Sequence, residues 1–164
     1  MDDLTRLYQE TILDHHRAPR NAGRLAEPTH QAEGLNPLCG DRVVVTLRLG
    51  AEGPGAEPRV LEARCEAQGC ALCRASGSLA TELLQALPVQ EARARIEQLL
   101  ALVASADGVA PAQPTGAALS PAGAAEGLLS GVAPLLEVRK FPSRRRCVTL
   151  SWEVFRDALG QGHG

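Results

Sequence analysis

The repeat of apolar and polar positions changes period several times along the chain, and each change marks an element. Residues 3–16 place Leu4, Leu7, Tyr8 and Ile12 on one helical face, which predicts a short amphipathic helix ending before Pro19. Residues 20–38 read as extended loop, with Pro28 and Pro37 as breakers. From Asp41 the period becomes two: Val43, Val45, Leu47 and Leu49 share one face, and Arg42, Thr46 and Arg48 lie on the other. After the Gly/Pro-rich AEGPGAEP, Leu61, Ala63, Cys65 and Ala67 alternate with Glu62, Arg64, Glu66 and Gln68. Two such strands around a short connection predict an antiparallel hairpin with one wet face.

Gly69 breaks the second strand. A helical stripe follows at Leu72, Ala75, Leu79, Leu83 and Leu87, and Pro88 opens another at Ala92, Ile96, Leu99, Leu100 and Val103. Residues 105–134, rich in Ala, Gly and Pro, read as an insertion with a short helix near Ala122 to Leu129. The last helix aligns Val148, Trp152, Phe155 and Leu159, and GQGHG is a frayed tail. The elements predict a single α+β domain over residues 1–164: a small antiparallel sheet of about three strands with helices packed on one face. The pattern displays only two strands. A third would come from around Gln68 or from the N-terminal loop.

Composition narrows the function classes. The chain of 164 residues is long enough to bury one core. Its aromatics are Tyr8, Phe141, Trp152 and Phe155, so Leu, Val and Ala must fill that core. A net charge of -2 argues against a nucleic-acid binder that works through a basic surface. The acidic start, MDDLTRLYQE, lacks the layout of a secretory signal, and no apolar run reaches membrane-spanning length. The expectation is a cytoplasmic protein, where clustered thiols suggest metal or redox chemistry before disulfides. Five cysteines cannot all pair in any case.

Three of the thiols fall at element boundaries: Cys39 before the first strand, Cys70 in the turn before a helix, and Cys147 at the start of the last helix. A helix N-terminus favours a thiolate. With Asp41 they offer three sulfurs and one oxygen, a donor set that suits zinc, against the plainer reading of three unrelated thiols. Cys65 lies on the apolar strand face and reads as core. Cys73 is either a core neighbour or a spare thiol near the site. Cys65, Cys70 and Cys73 also show the C-x4-C-x2-C spacing of plant-type ferredoxins, with Cys147 as the distant fourth ligand, but that leaves CGD unexplained. Cys70 and Cys73 match a thioredoxin-type C-x-x-C without the βαβ context. His15 and His16 end the first helix, where charge or solvation suffices, and His30 and His163 lie in loop and tail. The arginines of SRRRC read as a solvated basic edge, or as groups that lower the Cys147 pKa or dock an acidic partner.

The stretches LYQETILDHHRAPRN, NPLCGDR, the GC of QGCALCRASGS, and KFPSRRRCVTLSW resemble, in order and over nearly the whole chain, the NifU N-terminal/IscU/SufU family of iron–sulfur cluster assembly proteins. The insertion and the RRRCVTLSW ending resemble the SufU branch. The resemblance implies a SufE/NifU-like fold and zinc held by Cys39, Asp41, Cys70 and Cys147. It implies that Cys39 accepts persulfide sulfur from a PLP-dependent, SufS-like cysteine desulfurase and passes it to a downstream scaffold or apo-protein. The alternative it implies is a non-enzymatic, IscU-like scaffold on which iron and a transient [2Fe–2S] cluster assemble. IscU-type chains carry histidine directly before the third cysteine, where this chain has Arg146, and Cys65 and Cys73 depart from both patterns. A structural zinc module that recruits a partner is a third reading.

Overall fold

Helices and a three-stranded sheet assemble around one apolar core in a computed structural model that describes residues 10–38, 40–51, 53–104 and 131–160. The elements are α1 (Glu10–Arg17), β1 (His30–Asn36), β2 (Asp41–Gly50), β3 (Arg59–Gln68), α2 (Ala71–Leu84), α3 (Val89–Ala104) and α4 (Arg145–Gly160). Residues 131–136 are helical, and two 3-10 turns, Glu137–Lys140 and Pro142–Arg144, lead into α4. The expected helix near Ala122 to Leu129 and most of the expected insertion lie outside the described residues, as do Leu4, Leu7 and Tyr8. Among the described residues no helix is long and apolar enough to cross a membrane.

The sheet is antiparallel in the order β1-β2-β3, with Val43, Val45 and Leu47 facing the helices as their alternation requires. The third strand comes from the N-terminal loop. Its sequence, HQAEGLN, hides it, because Ala32 and Gly34 take the inward positions while Leu35 points to solvent. The reason is the helix above: a Cβ on Gly34 would stand 2.5 Å from Val154 Cγ2 and 3.1 Å from Leu150 Cδ1 of α4. Only a strand with small inward residues lets α4 lie this close to the sheet.

Two strand assignments shift. The β2–β3 register slips between Arg48 and Leu49, so Arg48 pairs with Glu62 but Leu49 with Val60. This bulge turns Val60 into the core and Leu61 outward, the reverse of simple alternation. The far face of the sheet is also less wet than expected. Val44 and Thr46 are buried there, and the Leu25 N–H donates to Thr46 Oγ1 at 2.9 Å as the α1–β1 connection crosses.

The outer edge of β3 is covered. Asn21 O accepts from the Cys65 N–H at 3.0 Å, and the Val60 N–H donates to Leu87 O at 2.9 Å. Leu87 therefore belongs to this edge and not to the helical stripe. Ala86, at φ 72, makes the bend that ends α2's run.

Helix α2 is buried on most sides, between the sheet, α1 and α4. Its hydroxyls form the polar seam under α1. His15 Nδ1 lies 2.6 Å from Ser78 Oγ, and Asn21 Nδ2 donates to Thr81 Oγ1 at 3.2 Å. On the other side Trp152 Nε1 donates to Ser76 Oγ at 3.0 Å, and that hydroxyl donates to Val148 O at 2.6 Å. His15 is thus buried, not solvated as its helix-end position suggests. Burial lowers its pKa from the ordinary histidine value, and the nearby Arg20 adds to the effect.

Two outcomes check this packing. Gly34→Ala destabilises the protein by about 1–3 kcal/mol in denaturant unfolding, because the β-branched Val154 cannot swing aside; adding Val154→Ala recovers part of that loss. Burial disfavours protonated His15, so the unfolded chain binds that proton more readily. Stability is therefore full above the ordinary histidine pKa of about 6.5 and falls as pH drops below it. The urea midpoint falls less between pH 7.5 and 5.5 in His15→Gln than in the parent chain.

Candidate metal centre

The folding of β2, α2 and α4 brings three separate parts of the chain to one point. Asp41 opens β2, Cys70 occupies the cap position before α2, and Cys147 lies in the first turn of α4. One carboxylate oxygen and the two sulfurs lie within 4.8 Å of one another. Ligands on a tetrahedral zinc ion stand about 3.5–3.8 Å apart, given bonds of about 2.0–2.3 Å. A small inward adjustment therefore suffices for all three to share an ion.

The donors differ in exposure. Asp41 is 1% exposed and Cys147 is fully buried, so Cys147 is not the reachable thiol its boundary position suggests. Cys70 is partly exposed and forms the open side. The Asp41 carboxylate accepts from the Cys70 N–H at 3.2 Å through Oδ1 and from Asn36 Nδ2 at 3.4 Å through Oδ2. Among the described residues both of these donors are neutral. A buried carboxylate with neutral donors and two adjacent sulfurs is chemically incomplete without a cation, so the residues present fit a divalent, thiophilic metal.

Backbone geometry keeps the cluster clear. Gly69 has φ 151, and a Cβ there would fall 2.1 Å from Asp41 Oδ1. Any other residue would push the carboxylate out of place. Asn36 and Asp41 face each other in the β1–β2 register and close the turn that carries Pro37, Leu38 and Gly40, the last at φ 71. Cys39, the fourth expected ligand, stands between Leu38 and Gly40 in the sequence and lies outside the described residues. Beside it Leu38 is 94% exposed and Leu35 58% exposed.

The remaining cysteines go elsewhere. Cys73 is buried in the core, and Cys65 faces Gly77, whose added Cβ would lie 2.6 Å from the sulfur. Burial pushes the Cys65 thiol up to about 12. The ferredoxin-like spacing therefore does not correspond to a cluster of ligands, since the group around Cys70 contains Asp41 and Cys147 and neither Cys65 nor Cys73. The arginines before Cys147 are engaged: Arg145 Nη2 donates to Arg139 O, and Arg146 Nη1 to Glu153 Oε2, both at 2.7 Å. Sequence reasoning missed Asn36 and Gly69 as groups that hold the site. Their only sequence signal is that Asn36 heads the NPLCGD stretch and that Gly69 directly precedes Cys70.

A small antiparallel α+β fold with a carboxylate and two thiols meeting at one end of its sheet offers a donor set suited to a thiophilic metal. The model of the NifU-like N terminal domain matches residues 7–118, and the chain belongs to that family. It is 26% identical over 162 residues to the zinc-dependent sulfurtransferase SufU of Bacillus subtilis, spanning 99% of this chain and 95% of that protein. It is 27% identical over 153 residues to the iron-sulfur cluster assembly scaffold protein IscU of Thermotoga maritima, spanning 93% and 92%. The fold matches a NifU-like protein of Brucella abortus at a TM-score of 0.73 and 21% identity, over 97% of this chain and 96% of the other. It matches a SUF-system scaffold protein of Fervidobacterium islandicum at 0.71 and 21%, over 94% and 98%.

The burial pattern predicts a labelling order. In the folded chain at pH 8, Cys65 and Cys73 resist maleimide and react only after unfolding, whereas Cys70 reacts in the native state once metal is removed. Peptide mass spectrometry of the adducts checks this.

Proposed function

We propose that the chain is a zinc-dependent sulfurtransferase of iron–sulfur cluster assembly, taking persulfide sulfur from a PLP-dependent, SufS-like cysteine desulfurase. The observation that carries the reading is the convergence of Asp41, Cys70 and Cys147, with a buried carboxylate that requires a cation. The full-length similarity to a protein named for that activity supports it. Cys39 supplies the fourth ligand and the acceptor sulfur, since its turn is anchored at Asn36 and at Asp41, itself one of the cluster.

Zinc, when bound, would keep its cysteine ligands deprotonated and would moderate their nucleophilicity. The chain does the rest. The Cys39 thiolate attacks the outer sulfur of the desulfurase persulfide. A new S–S bond forms on Cys39, the old one breaks, and the desulfurase cysteine leaves as thiolate, so atoms and electrons balance. Asp41, an oxygen donor among sulfurs, makes a site whose ligands can exchange. Leu35, near the end of β1, and Leu38, in the turn, are exposed and would give the desulfurase an apolar rim to dock against.

A second reading, a scaffold for a transient [2Fe–2S] cluster, has the similarity to the protein named IscU in its favour. Against it stands Arg146, whose guanidinium cannot ligate metal and is held by Glu153 at 2.7 Å. The protein as purified is expected to carry about one zinc per chain and no visible colour. Incubation with cysteine and desulfurase adds the mass of one sulfur to the Cys39 peptide, and Cys39→Ser abolishes both that mass and the acceleration of the desulfurase. A Cys39→Ser chain that accelerates turnover like the parent, or a coloured iron-bearing protein, overturns the reading.

A further inference from the structure

We infer that Asn36 is a positioning residue for the metal centre, acting through Asp41; the inference rests on the zinc-site reading above. Asn36 is the last residue of β1 and pairs in register with Asp41, the first of β2. Its side chain is buried, and so is the carboxylate it meets. An amide could be solvated at a strand end at no cost, yet this one is turned inward onto the carboxylate oxygen for which no backbone donor is found among the described residues.

The geometry divides the carboxylate between two holders. The Cys70 N–H fixes Oδ1 and Asn36 Nδ2 fixes Oδ2, at 3.2 and 3.4 Å. Each oxygen keeps one lone pair for a metal, and the carboxylate plane cannot rotate without losing a donor. The Asn36 contact is long for a hydrogen bond, so its weight comes from burial: without it Oδ2 has no donor recorded among the described residues. Carboxylate ligands are commonly aimed by such an outer partner, and loss of the partner typically costs 10–100-fold in metal affinity.

The two holders also differ in origin. The Cys70 N–H belongs to a residue that is itself a candidate ligand, so it follows the cluster. Asn36 belongs to the far side of the turn that carries Cys39. It therefore holds the oxygen donor from β1, independently of the two sulfur-bearing helices.

The test measures zinc affinity of the full chain by competition with a chromophoric chelator. Asn36→Leu keeps the branched shape, at greater bulk, and removes the donor; Asn36→Ser, smaller, serves if the leucine variant fails to fold, and apo unfolding midpoints confirm folding. Either variant is expected to bind zinc on the order of 10–100-fold more weakly. Asp41→Ala is expected to lose at least as much, and the Asn36/Asp41 double variant no more than Asp41→Ala alone, since the two act as one unit. Parent-like affinity in both Asn36 variants while Asp41→Ala binds weakly overturns the inference and leaves the zinc site standing. An equal Asn36 loss with and without the Asp41 carboxylate also overturns it. Parent-like affinity in Asp41→Ala overturns the inference together with the ligand role on which it rests.

Discussion

A carboxylate sealed from water beside two sulfurs is the constraint around which this chain is arranged. An uncompensated buried charge costs several kcal/mol, and neutral N–H donors recover only part of it. Asp41 has two such donors and almost no exposure. A cation would supply the rest, and the elements around Asp41 are placed where they could hold one. Asn36 approaches from the hairpin partner, Cys70 from the start of α2 and Cys147 from the start of α4. Gly69 leaves the space the carboxylate occupies.

The core makes this convergence possible without large aromatics. Helix α2 is enclosed on most sides, and small residues let its neighbours come close: Gly77 against Cys65, Gly34 against Val154 and Leu150. Close packing of Ala, Gly, Val and Leu replaces bulk. Polar contacts then set orientation, with Ser78 and Thr81 receiving α1 and the segment after it, and Ser76 receiving Trp152. The thiols of Cys65 and Cys73 belong to this packing, which is why cysteine spacing alone misleads here: Cys65 and Cys70 are five residues apart, yet one lies in the core and the other at the rim.

What the sequence made legible follows from how strongly each segment alternates. β2, the two central helices and α4 carry large apolar residues at a clear period and form the elements that period says, except that Leu87 leaves the α2 stripe and the far face of β2 is covered at Val44 and Thr46. β1 carries Ala32 and Gly34 inward and Leu35 outward, so its pattern is inverted by the helix that crosses it. The bulge at Leu61 is a register event between strands, invisible in one strand's own residues. Asp41, Cys70 and Cys147 stood out because thiols and a carboxylate at element boundaries are rare and chemically specific. Asn36 did not, because an asparagine before a proline has ordinary uses in turns, and only the strand pairing reveals what it faces.

The spread of the cluster along the chain has a consequence for synthesis. Residues 41 and 70 emerge from the ribosome long before residue 147, and α4 contributes heavily to the cover over β1 and β2. A nascent chain thus exposes Asp41 and Cys70 while Cys147 is still untranslated. Any ion held by Asp41, Cys70 and Cys147 together would therefore be captured only after residue 147 has been made and α4 has seated on the sheet, which couples the closing of the site to the docking of that helix.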